Sequence, residues 1–444
     1  MLLPIIRLAL RLFYRRITYV GLERVPASAS VLFVLNHPNA LVDPLFVLDA
    51  VRRPVHFLAK APLFRIPVLG RLLRACGVLA IYRAQDGADT RLNEETFREC
   101  HRVLARGDCV AIFPEGTTHS DALLRPLKTG AARIALGAES VTSFTLGLEI
   151  VPVGLQYEAK QTFRSNVTVW FGQAHRVTDL GARYAATPAE AVLEETRRLG
   201  VALYDVTLNV DRQETLALIT AAEIFAAGER WTEDEAVGLR RQFSEGYAWL
   251  SGRIPGRLAR LRRAVARHQL VLRRLGLTTW DLRPGREPSA SGLALRTLAA
   301  LPMLALAVAG VALEWVPYRA VDLVARRSTR AELETTATVK LGAAMVLYPL
   351  WWAVTAVAVG YATRWWAALA LLLAHPGVSY PAITAIERLE GFTRRLQVFR
   401  LATRPGRLDR LRRHERVIRQ ELQALAALYQ AGTGPLEGGN GRAG

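Results

Sequence analysis

A histidine that ends an apolar run, with a carboxylate a few residues on, is a candidate general base. The run VLFVL (31–35) leads into Asn36-His37-Pro38-Asn39-Ala40-Leu41-Val42-Asp43-Pro44. If the run is a strand, His37 lies at the carboxyl edge of a sheet, where α/β folds keep their active sites. Asp43 precedes a proline and is expected outside the helical region, as an N-cap with Pro44 as the first helical residue. A neighbouring carboxylate holds one imidazole nitrogen protonated and leaves the other to accept a proton. A histidine and an aspartate at this spacing also occur as a plain structural pair, and the residues alone leave both readings open.

Three further blocks carry groups suited to an anion. Phe113-Pro114-Glu115-Gly116-Thr117-Thr118 follows another apolar run. Pro and Gly force a turn there, and hydroxyls with freed backbone N–H groups can cradle an anion. Arg125 and Lys128 follow close behind as cationic support. Gly77-Val78-Leu79-Ala80-Ile81-Tyr82-Arg83 delivers an arginine, the side chain suited to bidentate phosphate binding, at the end of a strand-like run. Ile150-Val151-Pro152-Val153-Gly154 is apolar with an embedded proline, which reads as an edge strand, with or without an apolar channel beside it.

Alternating elements must position these blocks. Strands are expected at 31–35, 56–59, 78–82, 110–113, 150–157 and 167–171, with helices at 62–75, 91–106 and 127–139 between them. That alternation predicts an α/β fold, a partly parallel sheet covered by helices, over 21–177. A helical extension is expected over 178–282, opened by a Thr-x-x-Glu start at Thr187 and including a basic helix at 253–276. That basic helix either rests on anionic lipid or presents a solvated face. RPGREPSASG (283–292) reads as a linker.

Apolar runs follow at 293–316, 341–361 and 365–383, giving C-terminal transmembrane or re-entrant helices within 293–385. Arginine-rich segments at 319–340 and 388–419 flank them. If both face the same compartment, 341–361 and 365–383 form a hairpin, and 293–316 is re-entrant, in-plane or part of a different count. Trp351, Trp352, Trp365 and Trp366 are candidate interfacial aromatics, and the first pair, falling mid-run, is alternatively a contact for a partner helix. A basic helical tail is expected over 386–430 and a disordered end over 431–444.

The formal charge of +19 calls for a polyanionic partner. No zinc-finger or RNP-type motif is present, so an anionic membrane is expected and nucleic acid is not. Arg7, Arg11 and Arg15 recur on one face of an otherwise apolar stretch. Residues 1–20 are therefore expected to form an amphipathic helix, lying in the headgroup layer or packed on the protein's own core. Cys76, Cys100 and Cys109 lack metal-ligand spacing and are expected as buried thiols in a reducing compartment. The Ala/Arg-rich composition suggests a GC-rich bacterial source. The histidines other than His37 are expected to be structural or exposed, with His119, beside the Glu-Gly-Thr-Thr loop, the one worth testing.

Taken together and in this order, the four blocks resemble the phospholipid and glycerol acyltransferase family, over roughly residues 15–175. The pattern is Asn-His-(x)4-Asp, Gly-(x)5-Arg, Phe-Pro-Glu-Gly-Thr and a Val-Pro-Val-type strand. Leu123-Leu124-Arg125-Pro126-Leu127-Lys128-Thr129-Gly130 and Val206-Thr207-Leu208-Asn209-Val210 are similar to the branch holding fungal glycerol-3-phosphate/dihydroxyacetone-phosphate acyltransferases and their bacterial relatives with C-terminal membrane helices. The resemblance implies a glycerol-phosphate acyltransferase-type sheet at the inner membrane, with its catalytic domain facing the cytoplasm. It implies transfer of a fatty acyl group from acyl-CoA or acyl carrier protein to lysophosphatidic acid, glycerol-3-phosphate or dihydroxyacetone phosphate, with no metal or organic prosthetic group. A lysophospholipid remodelling transacylase or hydrolase, or a non-catalytic lipid-binding protein, are the alternatives.

On this resemblance His37 and Asp43 are the catalytic pair. Arg83, Glu115, Gly116, Thr117 and Lys128 bind the acceptor's phosphate. Glu115 cannot itself attract phosphate, so it is expected to fix the loop or orient Arg83. One departure stands out: five residues separate His37 from Asp43 where the family pattern has four. On a rigid helix the extra residue would turn Asp43 by about 100°. A strand–loop–helix turn can absorb it, with Asn39 sharing the orienting work.

Overall fold

The structure is a computed structural model that describes residues 3–118, 124–207, 246–247, 249–283, 289–329, 333–404 and 406–433. The chain divides into two compact units, Met1–Asn209 with Ala325–Leu341, and Val210–Val324 with Gly342–Gly444.

The first unit is built on a seven-stranded sheet. Its strands are β1 Arg16–Val20, β2 Val31–Leu35, β3 Val55–Lys60, β4 Leu79–Ile81, β5 Cys109–Ile112, β6 Glu149–Tyr157 and β7 Asn166–Phe171, in the order β1-β7-β6-β2-β5-β3-β4. Every pairing is parallel except β6 with β7. The carboxyl ends of β2 to β6 therefore share one edge. β2 is the middle strand, and all five of its residues are buried. Leu32 and Val34 enter one core, and Val31, Phe33 and Leu35 enter the other. A strand covered on both faces has to be an unbroken apolar run, which is how VLFVL reads.

The helices of this unit are α1 Leu3–Phe13, α2 Asp43–Ala50, α3 Pro67–Ala75, α4 Asn93–Ala105, α5 Gly130–Val141, α6 Gly181–Ala186 and α7 Pro188–Val206. Three expectations change. The expected helix over 1–20 ends at Phe13, and 16–20 is a strand of the sheet. The alternation in Arg-Ile-Thr-Tyr-Val suits a strand better than a helix, and β1 pairs with β7 along its whole length. α1 buries Leu10 and Phe13 in the core and sends Arg7 to Asp49 (Nε to Oδ1, 3.1 Å), while Ile5 and Leu8 stay exposed. The segment from 178 to 206 is no separate extension. Ala191, Leu199 and Leu203 of α7 lie in the same core as Leu32 and Ile150.

The third change concerns β6, which is not an edge strand; it sits between β7 and β2. Ile150 pairs both its backbone groups with His175, and Pro152 accepts from the Gly172 N–H at 2.8 Å. Residues of this parity thus face the β7 side. There the ladder ends at Val153 and Phe171, so no ladder donor is required of Pro152. Cys76, expected buried, is exposed because it caps the carboxyl end of α3 at the surface; Cys100 and Cys109 are buried, and all three are free thiols.

Helices continue the rest of the described chain: α8 Pro255–Arg274, α9 Ala290–Ser328, α10 Thr336–Ala362, α11 Trp365–Ala402 and α12 Arg407–Thr433. α8 and α12 share an apolar core of Leu258, Leu261, Val265, Ile418 and Leu425. Three helices, α9, α10 and α11, are long and apolar enough to cross a membrane. α9 is continuous through Pro302 and Pro317, which leaves 293–316 without the break of a re-entrant turn. Similarly, α11 runs on to Ala402, so no break separates the apolar run from the basic tail at 385. The end of α9 and the start of α10, Ala325–Leu341, belong to the first unit. Ala337 is fully buried in the core that holds Val42 and Phe46, and Lys340 Nζ donates to the Gln161 carbonyl at 3.0 Å. Half of the expected linker, 284–288, and most of the expected disordered end, 434–444, lie outside the described residues.

Gly154 marks the closest packing of helix on sheet. A β carbon there would stand 1.8 Å from the Val206 carbonyl oxygen at the end of α7. Backbone cannot yield as a flexible side chain would, so Gly154→Ala is expected to cost about 2 kcal/mol or more. The check is the thermal unfolding midpoint of the variant beside the wild type.

Candidate functional site

Four strand ends, those of β2, β4, β5 and β6, and the loops after them build the site. Asn36 extends the β2–β6 ladder with its side chain: Nδ2 donates to the Leu155 carbonyl at 3.2 Å and Oδ1 accepts from the Leu155 N–H at 2.7 Å. This fixes the first residue of the loop to the neighbouring strand. His37 comes next, and its ring stacks on Phe113 with centroids 4.0 Å apart.

The extra residue between His37 and Asp43 is taken up in the loop. Ala40 adopts φ +46°, in the left-handed region, and opens a short 3-10 turn, Ala40–Val42. That kink returns Asp43 to the histidine, with His37 Nδ1 2.8 Å from Asp43 Oδ2. Asp43 is not the N-cap; it is itself helical (φ −56°, ψ −49°), the first residue of α2. The 3-10 turn supplies a helical geometry before the proline. The carboxylate, completely buried, accepts the Asn39 N–H at 2.8 Å inside that turn.

The second oxygen of Asp43 is held by a residue the sequence reading missed. Tyr157, the last residue of β6, donates its hydroxyl to Asp43 Oδ1 at 2.5 Å. Burial, and then the negative charge of Asp43, push the phenol well above its ordinary range, so it stays a donor. Tyr14 is raised for the same two reasons, and its hydroxyl accepts from Asn39 Nδ2 at 3.2 Å. Lys160 Nζ donates to the Pro38 carbonyl at 2.9 Å and braces the loop from the other side. The signal available in the sequence was weak: a tyrosine closing a strand expected to end near the site.

Glu115 is buried and joins two loops. Its Oε1 accepts the His37 N–H at 3.1 Å, and its Oε2 accepts the Arg125 N–H at 3.0 Å. It therefore fixes the loops, as one of the two expectations had it. What orients Arg83 is Asp86, whose carboxylate receives Nε at 2.7 Å and Nη2 at 2.8 Å. The guanidinium holds the Asp86 carboxyl below the usual carboxylate range. Arg83 Nη1 donates to the Gly116 carbonyl at 2.7 Å, which brings the β4 end onto the β5 loop. Gly116 has φ +69°, a left-handed backbone that favours glycine, and the Lys128 side chain lies along it, with Cε 2.9 Å from where a β carbon would stand. The Lys128 N–H donates to the Pro114 carbonyl at 2.8 Å. Thr117 completes the loop, its hydroxyl 3.4 Å from the Thr118 carbonyl. All seven expected residues thus sit on one edge of the sheet, and Asn39 meets Asp43 through its backbone N–H while its side-chain amide donates to Tyr14 and the Lys160 carbonyl. His119, Leu123 and 208–210 lie outside the described residues.

Residues 16–156 match the family model described as Acyltransferase. This segment is an acyltransferase-family domain. It is 36% identical over 131 residues to glycerol-3-phosphate O-acyltransferase 2 of Saccharomyces cerevisiae, covering 29% of this chain and 18% of that protein. The acyltransferase domain is also 30% identical over 149 residues to the chloroplastic 1-acyl-sn-glycerol-3-phosphate acyltransferase LPAT1 of Arabidopsis thaliana, covering 33% and 38%. A crystal structure of the 1-acyl-sn-glycerophosphate acyltransferase PlsC from Thermotoga maritima aligns with a TM-score of 0.34 and 20% identity, over 46% of this chain and 78% of that one. The chain spans well under two thirds of the length of both curated relatives. Both are O-acyltransferases by name, of yeast and plant, and lend no support to a bacterial source.

The left-handed Ala40 is the local strain on which the His37–Asp43 approach rests. A left-handed residue with a branched β carbon costs about 1–2 kcal/mol more, so Ala40→Val is expected to lower the thermal midpoint, while Ala40→Gly leaves it unchanged or raised. Measuring the two variants together separates backbone strain from general loop damage.

Proposed function

We propose that this chain transfers a fatty acyl group from an acyl-CoA or acyl-carrier-protein thioester to a hydroxyl of a glycerol phosphate, in phospholipid synthesis. The acceptor is glycerol-3-phosphate, dihydroxyacetone phosphate or lysophosphatidic acid. The observation that carries this reading is the contact of His37 Nδ1 with a buried Asp43, which directs the proton to Nδ1 and leaves Nε2 as the basic atom. His37 Nε2 takes the acceptor's hydroxyl proton as that oxygen attacks the thioester carbonyl. The tetrahedral intermediate then expels the thiolate, which recovers the proton from the imidazolium. Asp43 stabilises the imidazolium between the two steps.

Arg83 and Lys128, with the backbone of Gly116 and Thr117, hold the acceptor's phosphate. An incoming phosphate shares the Arg83 fork with Asp86, which keeps the guanidinium planar and aimed when no acceptor is present. Glu115 holds the His37 loop and the Arg125 segment in one arrangement, so the base and the phosphate clamp keep a fixed separation. The reaction needs no metal or prosthetic group from the protein. In this reading the domain works on an anionic membrane surface, the inner membrane with the catalytic unit on the cytoplasmic side; the three apolar helices and the arginines of α1 support it.

The test is acyl transfer by membranes carrying the chain, with glycerol-3-phosphate and lysophosphatidic acid offered separately. His37→Ala is expected to lower turnover by about 10²- to 10⁴-fold. Equal activity of wild type and variant would remove the histidine from its role. Arg83→Ala is expected to raise the KM for the acceptor by about tenfold, the scale of one lost charge-assisted hydrogen bond. Tyr157→Phe removes a donor that favours the ionised carboxylate. The pair then holds its proton more tightly, so the acid limb of the kcat/KM profile is expected to move to higher pH, with the acceptor KM little changed.

A further inference from the structure

A second cluster of titratable groups lies far along the chain from the sheet edge. Glu314 of α9, Trp352 and Thr355 of α10, and His375 and Ser379 of α11 meet around one carboxylate. Glu314 Oε1 receives Trp352 Nε1 at 3.1 Å and the Ser379 hydroxyl at 2.5 Å, and His375 Nδ1 lies 2.9 Å away. The indole N–H also reaches Glu314 Oε2 at 3.2 Å. Beyond the imidazole, His375 Nε2 lies 2.9 Å from the Thr355 hydroxyl. His375 is fully buried and Glu314 nearly so. Trp352 is at the middle of 341–361, a stretch with no charged side chain, so the cluster sits at mid-depth of a membrane-length run. Trp351 ties the same level by donating to the Leu313 carbonyl at 2.8 Å. The other titratable groups near the carboxylate, among the described residues, are Tyr348 of α10, within electrostatic reach of Glu314, and Tyr318 of α9 beside Tyr348.

The acceptors around the ring suit a doubly protonated imidazole. The Thr355 hydroxyl has two carbonyls within reach, Trp351 at 2.8 Å and Trp352 at 3.1 Å. With its hydrogen given to either, its oxygen accepts from His375 Nε2. Nδ1 faces a carboxylate oxygen and requires a hydrogen as well. An imidazole donating from both nitrogens is an imidazolium. A lone carboxylate at this depth is costly, whereas a carboxylate with an imidazolium is neutral as a pair. We propose that Glu314 and His375 form a proton-binding site within the apolar helices, which at neutral pH holds one proton that joins α9, α10 and α11. Loss of that proton turns the Thr355 hydroxyl from the Trp351 carbonyl to Nε2 and leaves Glu314 unneutralised, which loosens the three helices. This proposal is independent of the acyl-transfer reading.

The experiment uses the full chain in phosphatidylcholine nanodiscs, with histidine labelled by nitrogen-15. The His375 signals are those lost in His375→Gln. Both ring nitrogens of His375 are expected to be protonated at pH 7 in the wild type, and a neutral ring is expected in Glu314→Gln. A neutral His375 in the wild type at pH 7, or an unchanged imidazolium in Glu314→Gln, overturns the proposal. Thr355→Val keeps the shape and removes the Nε2 acceptor. It is expected to lower the pH at which His375 gives up its proton by about one unit, the equivalent of one buried hydrogen bond. An unmoved midpoint in that variant also counts against the site.

Discussion

One buried carboxylate organises the first unit. Asp43 has no contact with solvent, and an unsatisfied charge in that position would cost several kcal/mol. Three donors from different parts of the chain meet it: His37 from the loop after β2, the Asn39 N–H from the turn between, and Tyr157 from the end of β6. Each donor requires something of its own element. His37 needs Asn36 docked on β6, Asn39 needs the left-handed Ala40 behind it, and Tyr157 needs β6 to end at this edge of the sheet. The geometry of the base is thus a consequence of satisfying one anion, and the parallel run of β6, β2 and β5 makes the satisfaction possible.

A second anion does comparable work with backbone donors. Glu115 accepts N–H groups from His37 and Arg125, so a residue in the middle of the loop proposed to bind phosphate serves as a fastener. Arg83 is fixed in the same manner by Asp86 and the Gly116 carbonyl. These carboxylates keep cations and donors aimed at a shared face without neutralising it altogether, since Lys128 lies along Gly116 on the same loop. Positioning of this kind matters for a transfer reaction, where a displacement of about 1 Å reduces rate strongly.

What could be read in advance follows from the range of the interactions. Six of the seven strands and their shared edge were legible, because apolar runs bounded by turns are local signals. β1 was not, since three regularly spaced arginines concealed a five-residue strand following an amphipathic helix. The interior place of β6 was hidden because a proline there is permitted only by the end of the β7 ladder, which is a tertiary fact. His37, Asp43 and the loop residues were legible from order and residue type. Tyr157 and Asp86 were not, because their roles depend on which strand ends meet in space. Trp351 and Trp352 were legible as aromatics at mid-run, but not the carboxylate and imidazole they accompany, whose partners are 20 to 65 residues apart along the chain.

The first turn of α10 has a consequence for how the molecule is made. Ala337 is fully buried in a core whose other members, apart from the partly buried Leu341, come from the first 174 residues. The ribosome therefore finishes the sheet long before the residue that completes its packing exists, and the contact with the Val42 turn closes over roughly 300 residues of intervening chain. Until the start of α10 has emerged, that face of the core stays open, and the turn carrying Asp43 lacks its neighbour. A chain stopped after α7 would keep every residue around His37 yet fold with an unsealed core. Synthesis through the first apolar helix to the start of the second thereby becomes a step in the maturation of the first unit.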